Sequence, residues 1–149
     1  MTTIKDPGPP VSEADVAALE QRLGLRIPVP FRAFLLRFNG GKPSPNVVDV
    51  GGYAGSPTDV QVVFGVGREV ESSGLEWNVR TLAERFGATY LPVACDSGGC
   101  IFGVSLRDAD FGRVYFFDLD AVYGDLATPP PEYPVAADVD EFLGRLREF

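Results

Sequence analysis

The sequence predicts an α+β domain. Three observations carry that prediction: amphipathic helical periodicity at both ends of the chain, a β-rich run between them, and a length of 149 residues that suits one core. The β-rich run comprises Leu91 to Cys95, Cys100 to Leu106 and Arg113 to Leu119, joined by the turn Asp96-Ser97-Gly98-Gly99 and a second turn through Arg107 to Gly112. It reads as an antiparallel meander. Phe102, Val104 and Leu106 alternate onto one face, whereas Val114 to Phe117 is apolar on both and predicts a central strand with helices covering one side.

Residues 1–11, with Pro7, Gly8, Pro9 and Pro10, resist regular structure and read as a flexible tail ahead of a single domain over residues 12–149. Ser12 can cap a first helix whose opening turn carries Glu13 and Asp15, whose stripe is Val16, Leu19 and Leu23, and whose stop is Gly24. Pro28 and Pro30 suit the start of a second helix, where the missing amide proton costs nothing; Phe31, Phe34, Leu35 and Phe38 form its stripe and Asn39-Gly40-Gly41 ends it. Lys42 to Asp59 is rich in Pro, Gly, Ser and Asn, and reads as a long loop with one short strand at Val47 to Val50.

Val60 to Phe64 is a further strand, and Leu75, Val79, Leu82 and Phe86 mark a third helix closed by Gly87. Trp77 falls off that stripe: it either covers the sheet edge or stands exposed as an interface anchor. The proline-rich segment Thr128 to Pro134 interrupts the chain before a final helix. Asp138 caps it with Glu141 as reciprocal partner, and Val139, Phe142, Leu143, Leu146 and Phe149 form its stripe.

Charge and composition narrow the function classes. A formal charge of -8 repels phosphate backbones and anionic lipid, so nucleic acid and membrane surfaces are poor partners, and a basic protein is favoured. No run approaches the roughly 18 apolar residues of a membrane span, and the first residues lack the basic-then-apolar order of a signal peptide, so the expected location is cytoplasmic.

The chain has no His, which removes the commonest general base, the usual partner of a Ser or Cys nucleophile and the commonest metal ligand. Cys95 and Cys100 are the only thiols, too few to close a zinc site; they flank a hairpin turn where oxidation could join them, although a reducing cytoplasm disfavours a lasting disulfide. Asp96-Ser97-Gly98-Gly99 has Cys95 where a nucleophile elbow needs its first Gly. Gly65-Val66-Gly67-Arg68-Glu69-Val70 has Val70 where a dinucleotide loop needs its third Gly or Ala. Asp118 and Asp120, two apart, can share one side of a strand end, where solvation explains them as well as cation binding does. The expectation is therefore no enzyme, no cofactor and no metal.

Two separated stretches fit one further pattern: Val11 to Pro28 running on to Phe38-Asn39-Gly40-Gly41, and Leu91-Pro92-Val93-Ala94-Cys95-Asp96-Ser97-Gly98-Gly99 followed by Gly112-Arg113-Val114-Tyr115-Phe116-Phe117-Asp118. Together they resemble the SUKH superfamily, from about Ser12 to Phe149. In that pattern a polar residue follows Asp-Ser-Gly-Gly; here Cys100 replaces it. The resemblance implies a curved, mostly antiparallel sheet packed against N-terminal and C-terminal helices. It also implies a binding scaffold without catalysis, since such proteins include a fungal regulator of cell-wall assembly and bacterial immunity proteins that neutralise polymorphic toxins.

The expected function is a non-enzymatic protein-binding domain that neutralises a basic toxin domain; the alternative is a regulatory adaptor with an endogenous partner in envelope or stress biology. The candidate partner-binding residues are Asp49, Tyr53, Asp59, Glu69, Glu71, Glu76, Trp77, Asp96, Asp118 and Asp120, the acids steering a basic partner and the aromatics anchoring it.

Overall fold

The computed structural model describes residues 2–149. The first helix, α1 (Glu13–Leu23), opens on a reciprocal cap: the Asp15 amide donates to the Ser12 hydroxyl at 3.1 Å and the Ser12 amide donates to the Asp15 carboxylate at 2.8 Å. Gly24 ends it in the left-handed region at φ 66°, open to glycine without strain. In α2 (Val29–Arg37), Phe31, Phe34 and Leu35 are buried, as the helical spacing requires. Glu20 joins the two helices, its carboxylate taking the Ile27 amide at 2.8 Å and the Arg32 guanidinium at 2.6 Å.

Asn39-Gly40-Gly41 does more than stop α2. The Asn39 side chain is 1% exposed; its amide donates to the carbonyls of Pro9 and Val66, and its oxygen accepts the Val66 amide, all at 2.7–2.8 Å. Gly40 must be glycine on two counts: its φ is 92°, and a Cβ there would lie 2.9 Å from the Val63 carbonyl oxygen.

The same motif corrects the flexible tail expected over residues 1–11 as far as residues 2–11 are concerned, Met1 lying outside the described residues. Strand β1 (Thr3–Lys5) pairs antiparallel with β2 (Lys42–Ser44), the Gly8 amide donates to the Phe38 carbonyl at 2.9 Å, and Asn39 holds Pro9. Prolines do prevent regular structure from Pro7 to Pro10, but backbone groups around them are claimed by the domain.

The loop expected over Lys42 to Asp59 is also more structured than its composition suggests, since β3 (Val47–Val48) pairs with β4 (Thr58–Asp59) and the Ser56 hydroxyl accepts the Val50 amide at 2.9 Å. The main sheet has five antiparallel strands in sequence order: β5 (Val62–Val63), β6 (Tyr90–Cys95), β7 (Ile101–Ser105), β8 (Val114–Phe117) and β9 (Glu132–Ala136). Thus β8 is an interior strand, as its two apolar faces require, paired with β7 and β9 and buried throughout, and β7 is the middle one of the five. The strand beyond β8 comes from the proline-rich segment, whose Pro134 lacks an amide proton and is tolerated because β9 is an edge.

Both faces of the sheet are covered. The helix α5 (Val139–Gly144) presses Phe142 against Phe102, whose ring also meets Phe116, at centroid distances of 5.0 and 5.1 Å. On the opposite face Phe86 meets Phe117 at 4.7 Å. Phe86 belongs to α4 (Ala83–Phe86), because the expected third helix is interrupted: α3 (Leu75–Thr81) ends at Leu82, where ψ moves to 11°. Gly103 in β7 makes room on that face, as a Cβ would approach the Phe117 ring to 3.0 Å.

Asp138 caps α5 by accepting the Glu141 amide, but the Glu141 carboxylate takes the Ala137 amide rather than that of the cap residue. The helix stops at Gly144, the chain then pairs Arg147 with Val47, and Phe149 is left 98% exposed instead of completing the buried stripe.

Candidate functional site

The two ends of the sheet carry different chemistry. At the end where β7 turns into β8, Asp110 accepts from the Arg107 guanidinium and from the hydroxyls of Ser105 and Tyr115. Arg107 lies 5.1 Å from the Tyr90 ring centroid and 5.5 Å from that of Tyr115. The Arg107 hydrogen bond holds the Asp110 carboxyl well below the usual carboxylate range, while burial and the Glu132 carboxylate at its hydroxyl push Tyr90 up. These charges are satisfied internally.

At the other end the turn from β6 to β7 is held by carboxylates that have no cation within 4.0 Å among the described residues. Asp96 is 6% exposed and accepts the Gly98 and Cys100 amides at 3.0 and 2.8 Å and the Thr58 hydroxyl at 2.8 Å; burial nevertheless raises its pKa. Asp59 accepts both the amide and the hydroxyl of Ser97. The Asp-Ser-Gly-Gly motif is thus a carboxylate-pinned turn.

Next to it, Cys100 Sγ lies 3.9 Å from Asp118 and 3.9 Å from Asp120, with donor atoms of all three within 4.8 Å of one another. This set could hold a cation, but three donors leave a four-coordinate site incomplete, and burial raises the Cys100 thiol away from the thiolate a soft metal needs. Cys95 instead directs its thiol to Gln61 at 3.7 Å, so the two free cysteines serve different surroundings.

The remaining sequence candidates separate by partner. Asp49 is bound by Arg147 at 2.8 and 2.9 Å, and Glu76 by Arg22 at 2.7 Å and Arg80 at 3.1 Å; the hydrogen bonds from Arg147 and Arg22 lower the two pKa values. Both are taken up in folding contacts. Tyr53 packs on Phe116 and Tyr133 at 4.8 and 5.5 Å, with its pKa raised by burial and then by Asp118, so it is an internal aromatic beside the acidic end rather than a projecting anchor.

Glu69 and Glu71 are exposed, and among the described residues no cation lies within 4.0 Å of either, nor of Asp118 or Asp120. Trp77, 37% exposed, lines a cleft of ≈ 530 Å³ with Val70, Cys95, Gly99 and Ile101, beside the same turn. The structure therefore gathers Asp59, Trp77, Asp96, Asp118 and Asp120 around one end of the sheet. It also exposes apolar side chains that periodicity had not singled out: Val70 at 61%, Tyr123 at 90% and Leu126 at 57%. Position between glutamates was the only available sign for Val70.

With this arrangement the comparison with known families is decisive. The family model for the SMI1 / KNR4 family (SUKH-1) matches residues 10–145. The chain belongs to that family. The match includes Asn39-Gly40-Gly41, which ends α2, and Asp96-Ser97-Gly98-Gly99, which forms the turn of the site, and extends over every strand of the five-stranded SUKH-1 sheet. No curated protein matches the chain.

Proposed function

We propose that this SUKH-1 domain is a non-catalytic binding protein of the cytoplasm that confers immunity by occluding a basic toxin domain. Family membership over residues 10–145 is the observation that carries the reading. Carboxylates at one end of the sheet with no ion-pair partner among the described residues support it, because they attract and orient a cationic partner, whereas Asp110 at the opposite end is already paired with Arg107. Among the described residues, no helix is long and apolar enough to cross a membrane.

Two features favour binding over turnover. The Cys95 thiol is pushed up to about 11, first by burial, which keeps it neutral and a poor nucleophile near pH 7. Asp96 has its oxygens occupied by turn amides and Thr58. Identifying the protein encoded beside this chain and co-expressing the two tests the proposal: the neighbour should be a toxin, cells should survive its expression together with the chain, and a 1:1 complex should co-purify. Survival without the chain, or no complex with that toxin, contradicts it; capture of a housekeeping protein instead would assign the domain to adaptor function.

A further inference from the structure

The connection from β8 to β9 is a loop closed at its neck. Phe117 pairs with Glu132, and the Asp118 amide donates to the Pro131 carbonyl at 3.1 Å, so the chain leaves the sheet and returns to the same place. Val122, buried, fixes the loop to the core. Two consecutive turns then set its outer part. In the first, the Asp125 amide donates to the Val122 carbonyl at 2.9 Å, with Tyr123 at φ -54° and ψ 127° and Gly124 at φ 77°; this is a type II turn, whose third position favours glycine. In the second, the Asp125 carboxylate accepts the Ala127 and Thr128 amides at 3.0 and 3.2 Å together with the Thr128 hydroxyl, which bends the chain around Leu126. Arg85 reaches across from α4 to the carbonyls of Val122 and Asp125 at 3.4 and 3.3 Å.

This framework holds out what folding would bury. Tyr123 is 90% exposed and Leu126 57%. Neither turn needs an apolar side chain there, since the second position of a type II turn asks only for φ near -60°. Two bulky apolar groups on a loop already ordered by its own hydrogen bonds form an anchor that loses little freedom on contact.

Charge narrows what can cover them. Residues 118–131 contain Asp118, Asp120 and Asp125 and neither Lys nor Arg. With Arg85 counted in full, three carboxylates stand against one guanidinium, and neither Asp118 nor Asp120 has a cation within 4.0 Å among the described residues. Anionic lipid is repelled, and so is a second copy of a chain whose formal charge is -8. A cationic surface is attracted.

We infer that this loop is the anchor of the complex: Tyr123 and Leu126 enter an apolar pocket of a protein partner, and Lys or Arg on the pocket rim faces Asp118 and Asp120. The inference rests on the partner-binding reading; it adds which side chains hold the partner and what the partner must present. The apolar pair governs how long the complex lasts, and the carboxylates govern approach and orientation.

The partner that co-purifies with the chain is passed over the immobilised wild type and two variants in surface plasmon resonance. Tyr123→Ser with Leu126→Ser should weaken binding at least about tenfold, mainly through faster dissociation, with an unchanged urea midpoint because both side chains already lie in water. Val29→Ser removes an apolar group that is 75% exposed at the start of α2, beside Gly112 and the opposite turn, and should change binding less than about twofold. Separately, a benzophenone side chain placed at position 123 should cross-link on irradiation to a partner segment that carries Lys or Arg.

Equal binding by the wild type and the double Ser variant, equal weakening by Val29→Ser, or a cross-link to a second copy of the chain or to a segment without Lys or Arg overturns the inference and leaves partner binding standing. If no protein co-purifies, the partner-binding reading falls and the inference falls with it.

Discussion

The two hairpin turns that flank β7 each contain a well-shielded carboxylate, and the domain treats them in opposite ways. Asp110 is given a guanidinium and two hydroxyls; Asp96 is given two amides, one hydroxyl and, among the described residues, no cation. Asp110 is held low by Arg107, while burial raises Asp96. The difference extends outward: cation–π contacts on Tyr90 and Tyr115 surround the first turn, and Asp59, Asp118 and Asp120 surround the second. Charge closed on itself stabilises a fold. Charge left open is available to a partner.

Removing the cation at the closed end gives the largest expected effect on stability. Arg107→Ala leaves the mostly buried Asp110 carboxylate without its charge partner and should cost roughly 2–3 kcal/mol in urea unfolding at pH 7. Because the folded-state pKa of Asp110 is depressed, its contribution is present above the ordinary carboxylate pKa and is lost as pH falls below about 4 toward the folded value. Asp110→Asn should therefore differ most from the wild type above pH 5, and the gap should narrow in acid. A constant gap would break the contrast between the turns.

Asp96→Asn should cost less, about 1 kcal/mol at pH 7, because the amide oxygen can still accept the Gly98 and Cys100 protons and its nitrogen can donate to Thr58. Its pH dependence has the opposite sign. A carboxyl whose folded pKa is raised binds its proton more tightly when folded, so acidification through that pKa stabilises the wild type relative to the Asn variant. Urea midpoints taken between pH 7 and pH 4 check both sign and size.

The helices, the meander and the turn motif were legible because each has a local cause: capping residues, apolar spacing and turn chemistry. What stayed hidden was long-range. Arg147 is 98 positions from Asp49 and Arg22 is 54 from Glu76, so no local pattern could show that these two candidate acids are occupied. Strand β1 was illegible for the same reason: three residues of ordinary composition acquire their partners only when Asn39 draws Pro9 and Val66 together. Asp118 and Asp120 stood close in sequence, but their meeting with Cys100 depends on strand register.

Smaller still is the stability change expected at the open end. Asp118→Asn with Asp120→Asn should move the urea midpoint by no more than about 0.5 kcal/mol equivalent, while slowing association with a cationic partner. Higher salt should slow wild-type association in the same way and change dissociation little, since screening acts over about 10 Å at 0.1 M.

The central claim, that the open end is the recognition surface, is tested most directly by two charge-matched reversals measured side by side by surface plasmon resonance against the partner that co-purifies with the chain. One variant combines Asp118→Lys with Asp120→Lys; the other combines Glu84→Lys with Asp108→Lys, exposed acids lying toward the Tyr90 and Arg107 end. Net charge changes equally in both. The account predicts that the first pair lowers the association rate at least about tenfold while the second changes it less than about twofold. Equal slowing by the two pairs would mean that net charge alone governs encounter, and greater slowing by the second would place recognition at the opposite end of the sheet.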